Sequence, residues 1–416
     1  MKLIQPFCGL RPPSNLAAKI SAPPYDVLNR AEAKALAVGN PHSFLHVSKA
    51  EINLPEEIPP SDPQVYAAAR QRLDAMVHSG FLLKESEPCF YLYRLRMAHR
   101  QQLGLVAAAS VPAYQSGRIK KHEFTRPDKE EDRTRLAEAL QAHSGPVFLI
   151  HRPHAKIMAA TQAALETSEC LYDFTGDDGI GHTVWRIGEP KLIQALVLAF
   201  EALDHVYIAD GHHRSAAAAR VCERHHADPT PFAHDAPIQR FLSVLFPADQ
   251  VQIFDYNRVV RDLHGHTPDG FLEAIAAHFH VAPSATPVKP TAKRHFGLYL
   301  GSRGWFTLVL KEAIQPDANA LPQDRLDVSL LARHLLEPLL GIHDPRRDAR
   351  IDFVGGIRGM EGVMARVDSG EMAAGFSLFP TDLEDLMQVA DAGQVMPPKS
   401  TWFEPKLRDG LIIQTF

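Results

Sequence analysis

One stretch constrains the fold of this 416-residue chain more than any other, the segment HVYIADGHHRSAAAA at residues 205–219. Its apolar, β-favouring part, Val206–Ala209, predicts a buried strand. Asp210-Gly211 predicts a tight turn, and the polar residues and alanines that follow predict a helix. The small alanines would let this helix pack closely against a sheet, so the segment indicates a layered protein of helices and strands.

The start of the predicted helix is suited to binding an anion. The N–H groups of a first helical turn lack partners within the helix, and the helix dipole adds positive partial charge there. Gly211 would let a ligand approach the backbone, and Arg214 would add a planar guanidinium that matches phosphate. The alternative is a purely structural turn with Asp210 as the helix cap and both histidines in solvent. Two histidines and an arginine at one helix start favour a phosphate-handling site.

A second polar block, IKKHEFTRPDKEEDRTRL, covers residues 119–136. His122 and Glu123 follow the end of a short predicted strand, in a loop position where reactive groups often lie. A glutamate there could take a proton from a substrate hydroxyl. Glu130 and Glu131 are better explained as the solvated start of a charged helix.

Weaker anion-binding candidates occur later in the chain. Each could equally belong to a surface turn; they are Asn257, Arg258, Lys399, Ser400, Thr401 and Lys406. The glycine-rich segment at 355–359 follows a predicted strand, but it matches neither the dinucleotide-binding nor the P-loop pattern.

Composition restricts the class of protein. The formal net charge is −5 and the isoelectric point is about 6.5, which argues against nucleic acid as the main partner. The four cysteines are widely spaced, so they form no C-x-x-C pair and fit a reducing compartment. The start of the chain has no secretory pattern, and no apolar run is long enough to cross a membrane. We therefore expect a cytoplasmic protein without a membrane partner.

The order of predicted elements indicates an α+β (mixed α/β) fold rather than a pure doubly wound sheet. Cys89–Met97 and Leu103–Val111 predict one hairpin, and Phe296–Leu300 with Trp305–Leu310 predicts another. Helices are predicted after Asp62-Pro63 and over Leu326–Leu340.

Six sequence blocks resemble a bacterial and archaeal family known as a domain of unknown function. They are PFCGLRP (6–12), PPYDV (23–27), NPHSFLHV (40–47), HEFTRPDKEEDR (122–133), IADGHHR (208–214) and PPKSTWFEPK (397–406). Within them, the pair HE and DGHHR is similar to the motif pair of ParB/sulfiredoxin-like proteins, especially the free serine kinases of that fold. The resemblance implies an N-terminal α/β region at 1–115, a ParB/sulfiredoxin-like catalytic core at 116–285 and a C-terminal α/β region at 286–416.

The resemblance also implies roles for individual residues. Glu123, next to His122, would be the base toward the acceptor hydroxyl, and Asp210 would order the turn or meet Mg²⁺. Arg133 would be a further ligand contact. The nucleotide phosphates of ATP or ADP would be held by Gly211, His212, His213, Arg214 and Ser215.

The function predicted in this way is a small-molecule kinase of serine metabolism. It would transfer phosphate from ATP or ADP to a free hydroxyl amino acid, converting L-serine to O-phosphoserine. One alternative is a metal-dependent hydrolase that uses His122, Glu123, His212 and His213. Another is a non-enzymatic, ParB-like nucleotide-binding protein. The expected partners are a nucleotide and an amino acid, and a homodimer is left open.

Overall fold

The computed structural model describes residues 2–226, 236–317 and 319–416. The chain divides into two compact units. The first unit is Met1–Val251 together with Pro405–Phe416, and the second is Gln252–Glu404. Among the described residues, no helix is long and apolar enough to cross a membrane.

The strands are numbered in chain order. They are β1 Ile4–Gln5, β2 Leu10–Arg11, β3 Leu83–Lys84, β4 Phe90–Met97, β5 Arg100–Ser110, β6 Ile119–Lys120, β7 Ala142–His143, β8 Val147–His151, β9 Glu169–Thr175, β10 Gly181–Ile187, β11 Val206–Asp210, β12 Arg240–Pro247, β13 Ile253–Phe254, β14 Tyr256–Val260, β15 Phe279–Ser284, β16 His295–Tyr299, β17 Trp305–Leu310, β18 Ile351–Gly355, β19 Ala374–Leu378, β20 Trp402–Phe403 and β21 Gln414–Thr415.

The α-helices follow the same convention. They are α1 Ala17–Ile20, α2 Arg30–Ala37, α3 Leu45–Ser48, α4 Pro63–His78, α5 Val111–Gln115, α6 Pro127–Leu140, α7 Ala155–Thr167, α8 Pro190–Glu201, α9 His212–His226, α10 Pro268–Ile275, α11 Asp327–Leu331, α12 Glu337–Leu340, α13 Gly359–Asp368 and α14 Leu383–Asp391. A π-helical turn, Ala332–Leu336, joins α11 to α12.

The first unit is organised by a mixed sheet in the order β6-β11-β8-β12-β5-β4-β10-β9, with β1 added beside β5. The predicted hairpin of Cys89–Met97 and Leu103–Val111 is confirmed, because β4 and β5 pair antiparallel around a two-residue turn. Two neighbouring pairs, β6 with β11 and β8 with β12, run parallel. Strands β11 and β8, which lie between these pairs, run antiparallel, and the residues of the predicted site follow β6 and β11.

The helices of the first unit begin where the sequence favours it. In α4, the Asp62 side chain accepts a hydrogen bond from the Gln64 N–H, and Pro63 occupies the first turn, where no N–H is needed. The buried side of α4, including Leu73 and Met76, packs with α1–α3 and with Leu136 of α6. Apolar burial of this kind is the main stabilising term for such a helix layer.

The second unit contains an antiparallel sheet in the order β15-β17-β16-β19-β14-β18. The predicted hairpin through residues 301–304 is confirmed as β16 and β17. Helix α13 packs against this sheet, with Val363 and Val367 buried beside Val259. The predicted helix over Leu326–Leu340 is present, with the π-helical turn in its middle.

The α+β fold class is confirmed, since parallel and antiparallel pairs occur together with helical layers. The bounds of the two compact units differ from those of the three predicted regions. The reason is that β5, which ends before residue 115, pairs with β12, so both sides of that position belong to one sheet. The ParB/sulfiredoxin-like core at 116–285 stays a prediction.

Candidate anion-binding active site

Two parallel strands bring the two sequence blocks together. In β6 and β11, Ile119 pairs with Val206 and Lys120 pairs with Tyr207. Because the strands run parallel, the residues that follow them leave the sheet at the same edge. The His122 backbone N–H reaches His212 Nε2 at 3.5 Å, although about 90 residues separate the two positions in the chain.

The turn between β11 and α9 depends on glycine. Gly211 has a φ of +94°, a conformation that residues with a Cβ rarely adopt. A Cβ at this position would also lie 3.3 Å from the Val147 Cα in the neighbouring strand β8. The glycine therefore lets the chain change direction at the sheet edge and begin a helix of 15 residues at His212.

Asp210, the last residue of β11, is held by two donors. Its Oδ1 accepts from the Gly211 N–H at 2.9 Å, and its Oδ2 lies 3.1 Å from Lys406 Nζ. Burial by itself would raise the pKa of this carboxyl, but Lys406 and then Arg214 hold the pKa below its usual range. Asp210 is therefore an anion that positions both the turn and a lysine ammonium.

His122, Glu123 and His212 form a compact cluster in which one potential ligand atom from each lies within 4.8 Å of the others. The two rings meet edge to face with centroids 4.5 Å apart, and Glu123 Oε2 lies 3.9 Å from His212 Nδ1. Burial lowers the pKa of His122 to about 4 and lowers that of His212 well below its usual value. Both imidazoles are thus neutral near pH 7, and Glu123 is the partly exposed carboxylate beside them.

His213 points to a different part of the site. Its Nε2 accepts a hydrogen bond from the Arg126 backbone N–H at 3.1 Å, in the loop before α6. Burial lowers its pKa as well. The adjacent histidines therefore diverge, and only His212 joins the cluster with Glu123.

Arg214 is buried and engaged with the N-terminal part of the chain. Its Nη1 donates to the Pro146 carbonyl, and its Nη2 lies 3.5 Å from Asp26 Oδ2. Burial would lower its pKa, but the carboxylates of Asp26, Asp210 and then Asp409 raise it, so this guanidinium remains charged. Arg214 places a permanent positive charge directly behind the start of α9.

Arg133, on α6, lies close to the same segment. Its guanidinium stacks 4.0 Å above the ring of Tyr25, and it donates through Nε and Nη2 to Asp132 Oδ2. The Ser215 hydroxyl, on α9, donates to the His212 carbonyl at 3.0 Å and is fully buried. Ser215 therefore stabilises the first turn of the helix.

The remaining predicted ligand contacts lie in the second unit. Asn257 donates to Asp255 Oδ2 at 2.6 Å and accepts from the Leu378 N–H at 3.1 Å. Arg258 donates to the carbonyls of Tyr256, Pro398 and Lys399. The Ser400 hydroxyl donates to the Pro397 carbonyl at 2.6 Å, Lys399 Nζ lies 5.6 Å from the centroid of the Tyr256 ring, and Thr401 immediately precedes β20.

Three residues near Arg214 were not assigned a role from the sequence: Tyr25, Asp26 and Asp409. Tyr25 and Asp26 belong to the PPYDV block, so the block itself was the available signal. Asp409 precedes Gly410, which has a φ of +81°, and its N–H and C=O both pair with Ala22. The sequence predicted Lys406 only as a weaker anion contact, because no local pattern in the tail indicates that its side chain contacts Asp210.

A family model described as "Protein of unknown function (DUF1015)" matches residues 4–329. The chain belongs to this family. No curated protein gives a significant match.

Solved structures offer more distant likenesses. A free serine kinase in complex with AMP is 15% identical, covers 74% of this chain and 92% of its own, and gives a TM-score of 0.35. A conserved hypothetical protein from Pyrococcus furiosus is 16% identical over 73% of this chain and 93% of its own, with a TM-score of 0.35. SbnI with a C-terminal truncation, from Staphylococcus aureus, is 10% identical over 73% and 85%, with a TM-score of 0.38. Since these TM-scores are low, the likenesses carry no functional conclusion.

Proposed function

We propose that this DUF1015 protein is a small-molecule kinase that transfers phosphate from ATP or ADP to the hydroxyl of a free amino acid, L-serine being the first candidate. The observation that carries the proposal is the meeting of Glu123 with the start of α9 at the adjacent ends of β6 and β11. This arrangement supports a base for a hydroxyl next to a binding site for phosphate. Phosphoryl transfer depends mainly on such positioning and on neutralising charge.

Each group has a defined task in this proposal. The N–H groups of His212 and His213 bind phosphate oxygens, while Lys406 and Arg214 neutralise charge on the phosphates. Gly211, whose own N–H donates to Asp210 Oδ1, lets the phosphate approach the backbone. Glu123 accepts the proton of the acceptor hydroxyl as the hydroxyl oxygen bonds to the terminal phosphorus. The bond between that phosphorus and the bridging oxygen breaks, and the nucleotide leaves with one phosphate fewer.

Asp210 fits the task of ordering the turn better than the task of holding a metal. Both of its carboxylate oxygens already accept from donors, and one of these donors is the Lys406 ammonium. A cation would be repelled by that lysine at close range. Mg²⁺ would therefore arrive bound to the nucleotide phosphates, where it neutralises charge and orients them.

The proposal is tested by incubating the full chain with L-serine, Mg²⁺ and either ATP or ADP, and detecting O-phosphoserine by ³¹P NMR. Glu123→Gln should lower turnover by about 10²-fold or more, since a general base contributes that much. Glu131→Gln is the matched control, because Glu131 is a partly exposed glutamate of α6 that forms ion pairs with Arg135, Arg220 and Arg224 and is not a member of the cluster. If no phosphorylated product forms with either nucleotide and any hydroxyl amino acid, the kinase proposal is wrong.

A second candidate function is metal-dependent hydrolysis, which the cluster of His122, Glu123 and His212 supports. His122 is 1% exposed and burial lowers its pKa to about 4, so its imidazole is neutral near pH 7, and neutral imidazoles are good zinc ligands. His213 would not take part, since it faces Arg126.

The metal content of the purified protein separates the two candidates. Stoichiometric zinc that disappears in His212→Ala would favour the hydrolase. A protein without bound metal that forms phosphoserine would favour the kinase.

A further inference from the structure

A polar cavity lies behind the start of α9, inside the first unit. Its volume is ≈ 40 Å³, and its walls include Tyr25, Arg133, His143, Gly145, Arg214 and Asp409. One water needs about 10–15 Å³ of such space, so the cavity has room for roughly three water-sized groups. That is the size of a small polar head group and not of a nucleotide.

Several buried polar atoms in this cavity lack partners. Among the residues that the structure describes, Arg214 Nε, Asp409 Oδ1 and His143 Nε2 have no hydrogen-bond partner. Asp409 is 2% exposed and His143 is 8% exposed. A buried polar atom without a partner destabilises the fold, so three such atoms on residues around one cavity indicate that a polar ligand or water completes the arrangement.

The charges around the cavity restrict the chemistry of that ligand. Arg133 and Arg214 supply guanidinium donors, whereas Asp409 supplies a carboxylate oxygen. A purely anionic group such as inorganic phosphate would be placed against the Asp409 carboxylate. A purely cationic group would be placed against two guanidinium groups. A ligand that carries both a carboxylate and an ammonium satisfies both sides.

We infer that this cavity binds the zwitterionic head of an α-amino acid, with its ammonium donating to Asp409 Oδ1 and its carboxylate accepting from Arg133 and Arg214. The inference rests on the proposed function, since the amino acid would be the phosphate acceptor. Arg214 lies both behind the start of α9 and in the cavity wall, so the two sites are adjacent. The side chain of the bound amino acid would then be directed toward the phosphate site.

The test uses isothermal titration calorimetry on the full chain with compounds that differ in one charged group. L-Alanine keeps both charges but has no hydroxyl to be phosphorylated, L-lactate lacks the ammonium, and ethylamine lacks the carboxylate. L-Alanine and L-serine should bind with similar affinity, and L-lactate and ethylamine should bind about tenfold more weakly or worse. Equal binding of L-lactate or ethylamine, or tighter binding of inorganic phosphate, would overturn the inference.

Asp409→Asn should weaken L-alanine binding by about tenfold or more, since the charge-assisted bond to the ammonium is lost. The matched control is Asp74→Asn, because Asp74 is half-exposed on α4 and pairs only with Arg70 among the described ion pairs. Arg133→Lys keeps the charge but not the planar fork, and it should also weaken binding. Unfolding curves show that each variant is folded. Unchanged affinity in both cavity variants would overturn the inference.

The pH dependence of L-alanine affinity separates a binding role of Asp409 from a purely structural one. Burial raises the pKa of Asp409 to about 7, against the lowering influence of Arg214 and Arg133 and with Asp26 adding to the rise. His143 remains neutral in this range, because burial lowers its pKa to about 4, and burial raises the pKa of Tyr25 above its usual value. L-Alanine affinity should therefore increase as Asp409 ionises through about pH 7, and Asp409→Asn should abolish this increase.

The outcomes separate this inference from the kinase proposal. If L-alanine and L-serine bind through Asp409 but no phosphate is transferred, the amino-acid site stands and the kinase proposal fails. If phosphoserine forms while Asp409→Asn leaves the KM for L-serine unchanged, the kinase proposal stands and the amino-acid site lies elsewhere.

Discussion

The two units of the chain each bury an aspartate whose pKa burial raises to about 7, Asp409 in the first unit and Asp327 in the second. Asp327 is satisfied locally, since both of its carboxylate oxygens accept from the Arg294 N–H, at 2.9 and 3.0 Å. Asp409 lines a cavity and has an oxygen without a partner. The same burial and the same direction of pKa shift thus accompany two different environments.

This comparison shows that burial of a charged group does not by itself indicate a ligand site. Two buried arginines make the same point. Arg258 donates to backbone carbonyls and thereby stabilises the local fold. Burial lowers its pKa to about 10. Arg214 lies among carboxylates that raise its pKa. What distinguishes Arg214 and Asp409 is that both line one cavity of the first unit and each has a buried polar atom without a partner among the described residues.

The largest expected difference between the units concerns turnover. Asp210→Asn should lower turnover by about 10²-fold or more. The reason is that Lys406 and the proposed phosphate-binding turn would both lose the Asp210 carboxylate that positions them. The measurement is kcat for phosphoserine formation.

The matched variant in the second unit is Asp255→Asn, since Asp255 is a buried aspartate that likewise accepts from a neighbouring side chain, that of Asn257. It should keep turnover within about twofold of the wild type. A comparable loss of turnover in both variants would contradict the contrast between the units.

The next effect is on stability. Asp327→Asn should lower the free energy of unfolding by about 1–3 kcal/mol, because an asparagine has one acceptor oxygen for the Arg294 N–H and would turn a second donor toward it. Urea unfolding followed by circular dichroism measures this change. Near pH 8, Asp409→Asn should not lower the free energy of unfolding, because the substitution removes a buried charge that has an oxygen without a partner among the described residues. A large destabilisation by Asp409→Asn would mean that the carboxylate is structural.

A smaller effect is the pH dependence of the contribution that Asp409 makes to the free energy of unfolding. The pKa of Asp409 is higher in the folded chain, at about 7, than in an unfolded chain, at about 4. Its contribution to stability is therefore fully present below about pH 4 and is lost as the pH rises through about 7. Compared with the wild type, Asp409→Asn should gain relative stability across this interval, as urea midpoints would show. A pH-independent difference would contradict the raised pKa.

The smallest effect is expected for a predicted ligand contact in the second unit. Ser400→Ala should cost about 0.5–1.5 kcal/mol of stability, since the hydroxyl donates to the Pro397 carbonyl. Nucleotide affinity, measured by calorimetry with ADP, should not change. Weaker nucleotide binding would instead support the ligand role predicted from the sequence.

Much of the local structure at the site could be predicted from the sequence. The strand, turn and helix at residues 205–219 follow from β-favouring residues, an Asp-Gly pair and a run of alanines, all of which act over a few neighbours. Asn257 and Arg258 stay predicted anion contacts, but the hydrogen bonds that they make to groups of their own unit could not be predicted from the sequence. A residue type indicates what a side chain can bind but not which partner the fold supplies.

Local sequence patterns were enough to predict the elements and the chemical types at the site. These are a glycine turn before a helix, a histidine–glutamate pair after a short strand, and the family blocks that contain them. The parallel pairing of β6 with β11, the approach of Lys406 to Asp210 and that of Asp409 to Arg214 emerge in the folded chain. The physical reason is that strand pairing and the burial of opposite charges join residues far apart in the chain. Their energies depend on the packed structure and leave little trace in local sequence.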